Sequence, residues 1–215
     1  MQASSSKENI LKKIRQALAN PVPLPFPQSE GNSSVFQPLK KDLEIEFAEN
    51  FTGLLGRFSF CIDEKELASQ LQHLTEVKKL SSIFCKEKEL KQKLLDQGFN
   101  KFSSIDIASC EASITGCELL IARTGSLLMS SAQASGRTTS VYAPVHICVA
   151  YASQLVYDIK EGLQFLKEKY TGKLPSLITL ATGPSRTADI EKTLVVGVHG
   201  PREVYVFFVE AISPE

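Results

Sequence analysis

The chain has 215 residues, and its 24 lysines and arginines balance its 24 aspartates and glutamates, so the formal net charge at pH 7 is zero. Binding to nucleic acid requires a basic face, so this composition argues against nucleic-acid partners. No apolar run approaches the roughly 20 residues that cross a bilayer, so no membrane span is expected. The first 20 residues lack the apolar core of a secretory signal, which predicts a cytoplasmic protein.

Residues 1–57 are predicted to form an N-terminal helical arm with a proline-rich linker. The apolar stripe of Ile10, Leu11 and Ile14 predicts an amphipathic helix over 6–19. Alternating prolines in 21–27 favour an extended segment, and a flexible linker over 29–34 and a second helix over 39–55 follow. Such an arm docks on a partner subunit or folds back on its own domain, and the sequence leaves both open.

Residues 58–215 are predicted to form one α/β domain. Predicted strands and helices alternate along it, which indicates βαβ units and a mainly parallel sheet. The strands are predicted at 58–62, 81–85, 102–107, 145–150, 177–181 and 204–210, and the helices at 64–79, 86–97 and 154–170. Two apolar runs separated by Thr124-Gly125 predict a β-hairpin, an antiparallel insertion in this pattern.

Two polar turns, at 183–191 and 197–202, follow the predicted strand at 177–181 and precede the last strand. Packing alone rarely requires Ser, Arg, Thr, Asp, Glu and His together around glycine and proline. Open α/β sheets bind ligands beyond the carboxyl ends of their strands, and the first turn is predicted to begin at such an end. The sequence therefore predicts a functional site at these turns.

The first turn permits a structural and a functional interpretation. Ser185 or Thr187 can cap a short helix, whose dipole Asp189 and Glu191 then complement. Alternatively, the free N–H groups of that helix start hold a carboxylate or phosphate together with Arg186. Asp189 and Glu191 can instead serve as a general base or as metal ligands, although two acids in one loop without a neighbouring histidine give little support for a metal. The structural alternative for Asp189 is a carboxylate that bonds the 199–200 turn.

The histidines differ in what they can do. His199, in a tight turn, is the candidate for proton transfer because its ordinary pKa lies near neutrality; alternatively it only ties two loops together. His146 lies in an apolar strand, which predicts a hydrogen-bonded core histidine, and His73 on a charged helix is predicted to be solvated. Residues 130–139 form either a lid over a substrate or a plain surface loop.

The five cysteines include no C-x-x-C pair, and an odd count does not fit a disulfide framework. Cys61, Cys85 and Cys148 lie in apolar runs and are predicted to be buried, reduced thiols. Iron–sulfur ligation commonly uses clustered thiolates, which this sequence lacks. No metal site or cofactor is therefore expected in this chain, and any redox centre is expected on a partner.

Several motifs resemble those of the LUD (lactate-utilisation) domain family. The family pattern GPS-x-TADIE followed by GVHGP stands here at 183–191 and 197–201, and weaker matches lie at 114–117, 121–126 and 143–147. The resemblance implies a Rossmann-like sheet of the type shared by glucosamine-6-phosphate isomerase, ribose-5-phosphate isomerase and CoA transferases. Family members commonly carry Glu before the Thr-Gly pair, where this chain has Arg123.

The resemblance also implies a function, namely oxidation of L-lactate to pyruvate by a system whose iron–sulfur centres lie on sister subunits. Within it, His199 and Asp189 are the predicted catalytic residues. A small carboxylate or phosphate is predicted to bind at Gly183, Ser185, Arg186, Thr187, Thr124, Gly125, Glu191 and Gly200. The alternatives are a free-standing isomerase, transferase or ligase acting on a phosphorylated or CoA-linked molecule, and a non-catalytic assembly module.

Overall fold

The computed structural model describes residues 6–19, 38–39, 41–104, 106–187 and 195–210. The chain divides into two compact units, Met1–Pro38 and Leu39–Glu215. The first contains helix α1 (Ser6–Ala19), as predicted. The proline-rich segment at 21–27 and the linker at 29–34 lie outside the described residues. The second unit begins before residue 58, so it includes a helix that the sequence-based division assigned to the arm.

The larger unit alternates helices and strands along most of its length. Its helices are α2 (Leu43–Gly53), α3 (Glu64–Lys78), α4 (Lys88–Asp96), α5 (Thr139–Tyr142) and α6 (Ile159–Lys169). Its strands are β1 (Arg57–Cys61), β2 (Ile83–Phe84), β3 (Ala112–Thr115), β4 (Leu119–Ile121), β5 (Ser126–Ser130), β6 (Val145–Tyr151), β7 (Leu155–Val156), β8 (Ile178–Ala181), β9 (Arg186–Thr187), β10 (Val195–Val196) and β11 (Glu203–Val209).

The central sheet has five parallel strands in the order β1-β11-β6-β3-β2. Successive side chains of a strand point to opposite faces, and β11 is apolar on both. Val204, Val206 and Phe208 pack in one core cluster, and Tyr205, Phe207 and Val209 pack in another. Burial on both faces is what makes such strands near-continuous apolar runs. The predicted α/β class with a mainly parallel sheet is therefore confirmed.

A second sheet of four strands, in the order β7-β4-β5-β8, packs beside the first. Its centre is the predicted hairpin, because β4 and β5 pair antiparallel with Leu120 opposite Leu127. The expectation that residues 177–181 complete the parallel sheet is wrong, since β8 pairs antiparallel with β5. Strand propensity is local, whereas the choice of sheet depends on distant partners, here Leu128 opposite Leu180.

Three apolar clusters arrange these elements in layers. Helices α3 and α4 cover one face of the parallel sheet through Leu67, Leu71, Leu90 and Leu94. The second sheet and α2 cover the other face, where Phe47 and Phe51 pack with Leu120, Leu127 and Phe208. Helix α6 covers the outer face of the second sheet through Leu166. The order is therefore helices, parallel sheet, second sheet, helix.

The strand predicted at 102–107 is wrong. Among the described residues of this range, only Phe102 forms a bridge, to Ile83, and a short 3-10 helix follows at Ile107–Ser109. Phe102 instead packs edge-on against Phe99 with ring centroids 5.3 Å apart, which ends the extended segment. The parallel strand of this region is β3, which the sequence analysis did not predict.

The helix predicted at 154–170 begins later, at Ile159. Before it, Leu155 and Val156 pair parallel with β4, which keeps the backbone extended. Asp158 then caps the helix, since its side chain accepts a hydrogen bond from the N–H of Lys160 at 2.9 Å. The cap marks the boundary more sharply than the apolar pattern does.

His146 is a core histidine, as predicted. It is 1% exposed, and its Nε2 is hydrogen bonded to the Thr115 hydroxyl at 2.8 Å. Burial lowers the pKa of His146 to about 4, so the ring is neutral near pH 7.

This burial makes stability depend on pH. In the unfolded chain His146 becomes protonated below its ordinary pKa of 6.5. In the folded chain it becomes protonated only when the pH falls to about 4. Stability is therefore lost as the pH falls through this window, by about 2 kcal/mol between pH 7.5 and pH 5. Urea unfolding at both pH values is expected to show this loss in the wild type. His146→Gln, which does not titrate, should lose about 2 kcal/mol less over the same interval; an identical loss would contradict the assignment.

Candidate functional site

The two predicted turns lie against each other. The Ser185 N–H donates to the Pro201 carbonyl at 3.0 Å, and the Gly197 N–H donates to the Ser185 carbonyl at 2.8 Å. The Ser185 hydroxyl donates to the His199 carbonyl at 3.1 Å. A Cβ at Gly200 would lie 2.9 Å from the Ser185 Cβ, so the contact is close. These bonds fix the two turns to each other.

The first turn is also fixed to the end of α2. Gly183 has φ of +77°, and a Cβ there would lie 2.4 Å from the Leu54 carbonyl oxygen. The exposed Arg186 donates from Nη2 to the same oxygen at 2.9 Å. A guanidinium at the carboxyl end of a helix satisfies a terminal carbonyl and complements the helix dipole. Gly183 and Arg186 thus have a structural role here, although a guanidinium has more donors than this bond uses.

Thr124 and Gly125 reach the same end of α2. Gly125 has φ of +58°, and a Cβ there would lie 2.4 Å from the Phe51 nitrogen. The Thr124 hydroxyl is 2.8 Å from that of Ser126, which is 2.7 Å from that of Thr182. Since Thr182 directly precedes the first turn, this chain of hydroxyls connects the hairpin to it.

The remaining predicted site residues are only partly placed. The His199 side chain is exposed, while its main-chain carbonyl accepts the Ser185 bond. Thr187 lies in β9, paired with Val195. Asp189 and Glu191 lie outside the described residues. The catalytic and ligand-binding roles of these residues remain predictions.

The structure does not support the argument that the first turn lies at the carboxyl end of a strand of the parallel sheet. The turn follows β8, which belongs to the second sheet and runs antiparallel to β5. It therefore does not lie at the carboxyl edge of the parallel sheet, where ligands of open α/β folds bind. That edge is formed by the carboxyl ends of the five parallel strands, which include β3 and β6.

A cavity of about 200 Å³, termed here the sheet-edge cavity, lies at the carboxyl ends of β3 and β6. Its lining includes Glu87, Lys93, Gly116, Gln133, Tyr151 and Gln154. Gly116 directly follows β3, and Tyr151 ends β6. The cavity thus occupies the position that the α/β architecture favours for a ligand.

Glu87 is held in this cavity by the main chain. The Gly116 N–H donates to its Oε1 at 3.0 Å, and a Cβ at Gly116 would lie 3.2 Å from Oε2. Burial raises the pKa of the Glu87 carboxyl, and the charges of Glu118 and Glu89 raise it further, while the Gly116 N–H offsets part of the rise. A carboxylate with a raised pKa is a better proton acceptor, as often found in functional sites.

Residues 130–139, left open as lid or surface loop, border the cavity. Gln133 lines it and accepts the Ser130 N–H at 2.9 Å through Oε1, which fixes the loop. Ser135 is 1% exposed, and its hydroxyl is outside hydrogen-bonding geometry with every described residue. The same hydroxyl is close enough to Glu87 to offset part of its raised pKa. The loop therefore places an unsatisfied hydroxyl beside the cavity carboxylate.

Lys93 supplies positive charge at the same cavity. Its Nζ lies 5.1 Å from the Tyr151 ring centroid and 3.7 Å from Glu64 Oε1. The Tyr151 hydroxyl donates to Glu64 Oε1 at 2.9 Å. Burial raises the pKa of Tyr151, so the phenol stays protonated.

A larger groove of about 940 Å³ runs between β1 and α3, but several of its polar groups already have protein partners. The Ser59 hydroxyl donates to the Gln70 side chain, whose Nε2 donates to the Phe60 carbonyl at 2.9 Å. Arg57 Nε lies 3.1 Å from a Glu203 carboxylate oxygen. The smaller sheet-edge cavity, with its buried carboxylate, is therefore the stronger candidate for a ligand.

The sequence analysis did not identify Glu87, Gln133, Tyr151 or Gln154 as site residues. The segment 114–117, which contains Gly116, appeared only as a weaker motif match. A prediction of strand β3 would have identified Gly116 as the residue that directly follows a strand end. Glu87 follows β2 by three positions, so the same rule would then have found it.

The cysteines and Arg123 have structural surroundings. All five cysteines are free, and burial raises the pKa of Cys61 to about 12 and that of the half-buried Cys85 to about 11. Arg123 Nε lies 2.6 Å from Oδ2 of Asp158, the residue that caps α6. The arginine that replaces the family's usual acid therefore anchors the start of α6.

Among the described residues, no three or more His, Cys, Asp or Glu side chains form a group that could hold a metal ion. No helix in the same part of the chain is long and apolar enough to cross a membrane.

Comparison with known proteins identifies relatives. A family model described as LUD domain matches residues 81–209. An uncharacterised protein of Neisseria meningitidis is 36% identical over 53% of this chain and 47% of its own length. Lactate utilization protein C of Deinococcus radiodurans is 33% identical over 50% of each chain, and that of Bacillus subtilis is 34% identical over 41% of this chain and 38% of its own. The chain thus spans about half the length of the first two of these relatives.

One solved structure shares the fold. A DUF162 family protein from Deinococcus radiodurans superimposes with a TM-score of 0.60 and 20% sequence identity, over 80% of this chain and 99% of that one.

The fit of Gly183 against α2 can be tested by adding one methyl group. Gly172 has a similar φ of +81°, and a Cβ at that position would meet nothing within 4 Å, so Gly172→Ala measures backbone strain alone. It is expected to cost about 1 kcal/mol in the free energy of unfolding. Gly183→Ala adds a clash with the Leu54 carbonyl and is expected to cost about 3 kcal/mol. Equal costs in urea unfolding would contradict the packing described for Gly183.

The pairing of Arg123 with Asp158 predicts the effect of the family's usual acid. Arg123→Glu puts two carboxylates together at the start of α6 and is expected to lower the free energy of unfolding by about 3 kcal/mol. Adding Asp158→Asn removes the repulsion and keeps a capping side chain, so the double variant should recover about half of that loss. Urea unfolding measures both, and a double variant no more stable than Arg123→Glu would exclude repulsion as the cause.

Proposed function

Because the chain belongs to the LUD domain family, we propose that it takes part in lactate utilisation. The observation that carries the proposal is the match of residues 81–209 to the LUD domain, together with relatives that are named Lactate utilization protein C. These two relatives match 50% and 41% of this chain.

In its finer form, the proposal makes this chain one cytoplasmic subunit of a system that oxidises L-lactate to pyruvate. The two electrons removed from lactate pass to iron–sulfur centres carried by sister subunits. The family resemblance of the two turns supports this form of the proposal.

The turns at 183–186 and 197–202 have a place in this proposal as an anion site. Arg186, the Ser185 region and Gly183 hold a carboxylate or phosphate, with Thr124 and Gly125 at the hairpin end. Their support is the set of hydrogen bonds that holds Ser185 against 197–201 and the hydroxyl chain from Thr124 to Thr182. His199 and Asp189 move or orient a proton.

The alternative is a free-standing isomerase, transferase or ligase that acts on a phosphorylated or CoA-linked molecule. The sheet-edge cavity favours it, since a buried carboxylate at the carboxyl edge of a parallel sheet is a common arrangement in α/β enzymes. Turnover of sugar phosphates or acyl-CoA esters by the purified chain at ordinary enzyme rates would establish this alternative against the subunit role.

Growth on L-lactate as sole carbon source tests the proposed role. In a strain whose own copy of the gene is deleted, the wild-type chain is expected to restore growth on lactate. Arg186→Ala and His199→Ala are expected not to restore it, because they remove the anion contact and the proton carrier. Growth on pyruvate, measured in parallel, should be unaffected throughout.

The matched controls are Arg15→Ala and His73→Ala, which remove an exposed arginine on α1 and an exposed histidine on α3. Circular dichroism melting should show that all four variants are folded. If Arg186→Ala and His199→Ala support lactate growth like these controls, the turns have no catalytic or ligand role. If even the wild-type chain is dispensable for lactate growth, the proposed function itself is wrong.

A further inference from the structure

The sheet-edge cavity is a built site that neither the family motif at 183–202 nor the predicted site residues include. Its carboxylate is positioned by main chain, because Glu87 Oε1 accepts the Gly116 N–H at 3.0 Å and Gly116 has no side chain to displace it. The hydroxyl of Ser135, 1% exposed, has no hydrogen bond among the described residues and lies beside that carboxylate. A buried polar group without a partner is costly unless a ligand or water satisfies it.

The cavity combines opposite charges in a small volume. Glu87 and Glu89 provide carboxylates, which only accept hydrogen bonds when ionised, and Lys93 provides an ammonium group whose Nζ also lies 3.7 Å from Glu64 Oε1. Gln133 adds a side-chain amide. The amide of Gln154 is held by the main chain, since its Oε1 accepts the Tyr151 N–H at 2.9 Å and its Nε2 donates to the Cys117 carbonyl at 2.7 Å. At about 200 Å³ the space is smaller than the roughly 300–1,000 Å³ of pockets for drug-sized ligands, so it suits a small molecule.

We propose that the sheet-edge cavity binds a small 2-hydroxy carboxylate, with Glu87 accepting the hydrogen bond of the hydroxyl and Lys93 attracting the carboxylate. The choice of a hydroxy acid within the small carboxylates rests on the proposed function in lactate utilisation. The location rests only on the position of the cavity and on the groups that line it.

Glu87 is then the residue that distinguishes a hydroxy acid from a keto acid. An ionised carboxylate has no proton to donate, so it binds a hydroxyl and repels a ketone oxygen at the same place. Lys93 contacts the part that both acids share, so it contributes affinity without discriminating between them. The loop at 130–139 completes the site by bringing Gln133 to its lining and by placing the buried Ser135 hydroxyl beside Glu87.

Titration calorimetry of the full chain with L-lactate and with pyruvate tests the proposal. The wild type is expected to bind L-lactate about tenfold more tightly than pyruvate, as for a hydrogen bond to a charged group. Glu87→Gln offers an amide N–H to the ketone, so the two affinities should become equal or reverse. Lys93→Met should weaken both by a similar factor and leave their ratio unchanged.

The matched controls are Glu44→Gln and Lys65→Met, which make the same charge changes at exposed positions on α2 and α3. Both should bind like the wild type. Amide chemical shifts locate the ligand, and on lactate addition the Gly116 amide and the Gln133 side-chain amide are expected to move. Glu87→Gln is close to isosteric, and its amide spectrum shows directly whether the variant is folded.

The proposal is overturned if neither acid binds, if the lactate preference survives in Glu87→Gln, or if the shifts move at 183–186 and 197–202 instead. The last outcome would place the ligand at the family turns. Failure of the proposed function is distinguishable, because it is read from lactate growth of the deletion strain. If the chain is needed for growth on lactate but does not bind lactate, the proposed function stands and the proposed binding site is wrong.

Discussion

Gly125 and Gly183 both pack against the carboxyl end of α2, and the arrangement of the two sheets depends on these two contacts. Gly125 brings the hairpin against the main chain at Phe51, and Gly183 brings the first turn against the Leu54 carbonyl. In the same helix, Phe47 and Phe51 fill the core between the sheets. A side chain at either glycine would push the second sheet away from that core. Part of the family pattern is therefore explained by packing, before any ligand is considered.

The sequence predicted elements whose pattern is local. Strands β6 and β11 and helices α1 and α3 were located to within a residue or two, because apolar period and caps mark them. The predictions that were wrong concern strands whose pairing depends on partners distant in the sequence. The membership of β8 in the second sheet follows from its pairing with β5. Strand β3 has one large apolar residue, Ile114, among Ala112, Ser113 and Thr115, and it becomes a strand between β2 and β6. Neither pairing is visible in the segment itself.

The same distinction separates the two candidate sites. The closeness of the turns around Ser185 was predictable, since both belong to one family pattern, in two parts separated by only five residues. The sheet-edge cavity was not, because Glu87 and Gly116 meet only when β2 and β3 lie side by side, with Ile83 opposite Ala112. Arg123 shows a further limit. Its charge departs from the family, yet its partner Asp158 lies 35 positions away at the start of a helix that was predicted to begin earlier.

The edge strands of the parallel sheet, β1 and β2, affect whether copies of this chain assemble into fibres at high concentration. On the edge strand β1, the Gln70 side chain donates a hydrogen bond to the Phe60 carbonyl. On the other edge strand, β2, Phe102 forms a bridge to Ile83 and the Ser103 N–H donates to the Ile83 carbonyl. Exposed strand borders are templates on which foreign strands assemble into fibres. Here an incoming strand must first displace a bonded amide or an aromatic ring. Substitutions that remove Gln70 or Phe102 would therefore open a route to polymerisation without touching either candidate site.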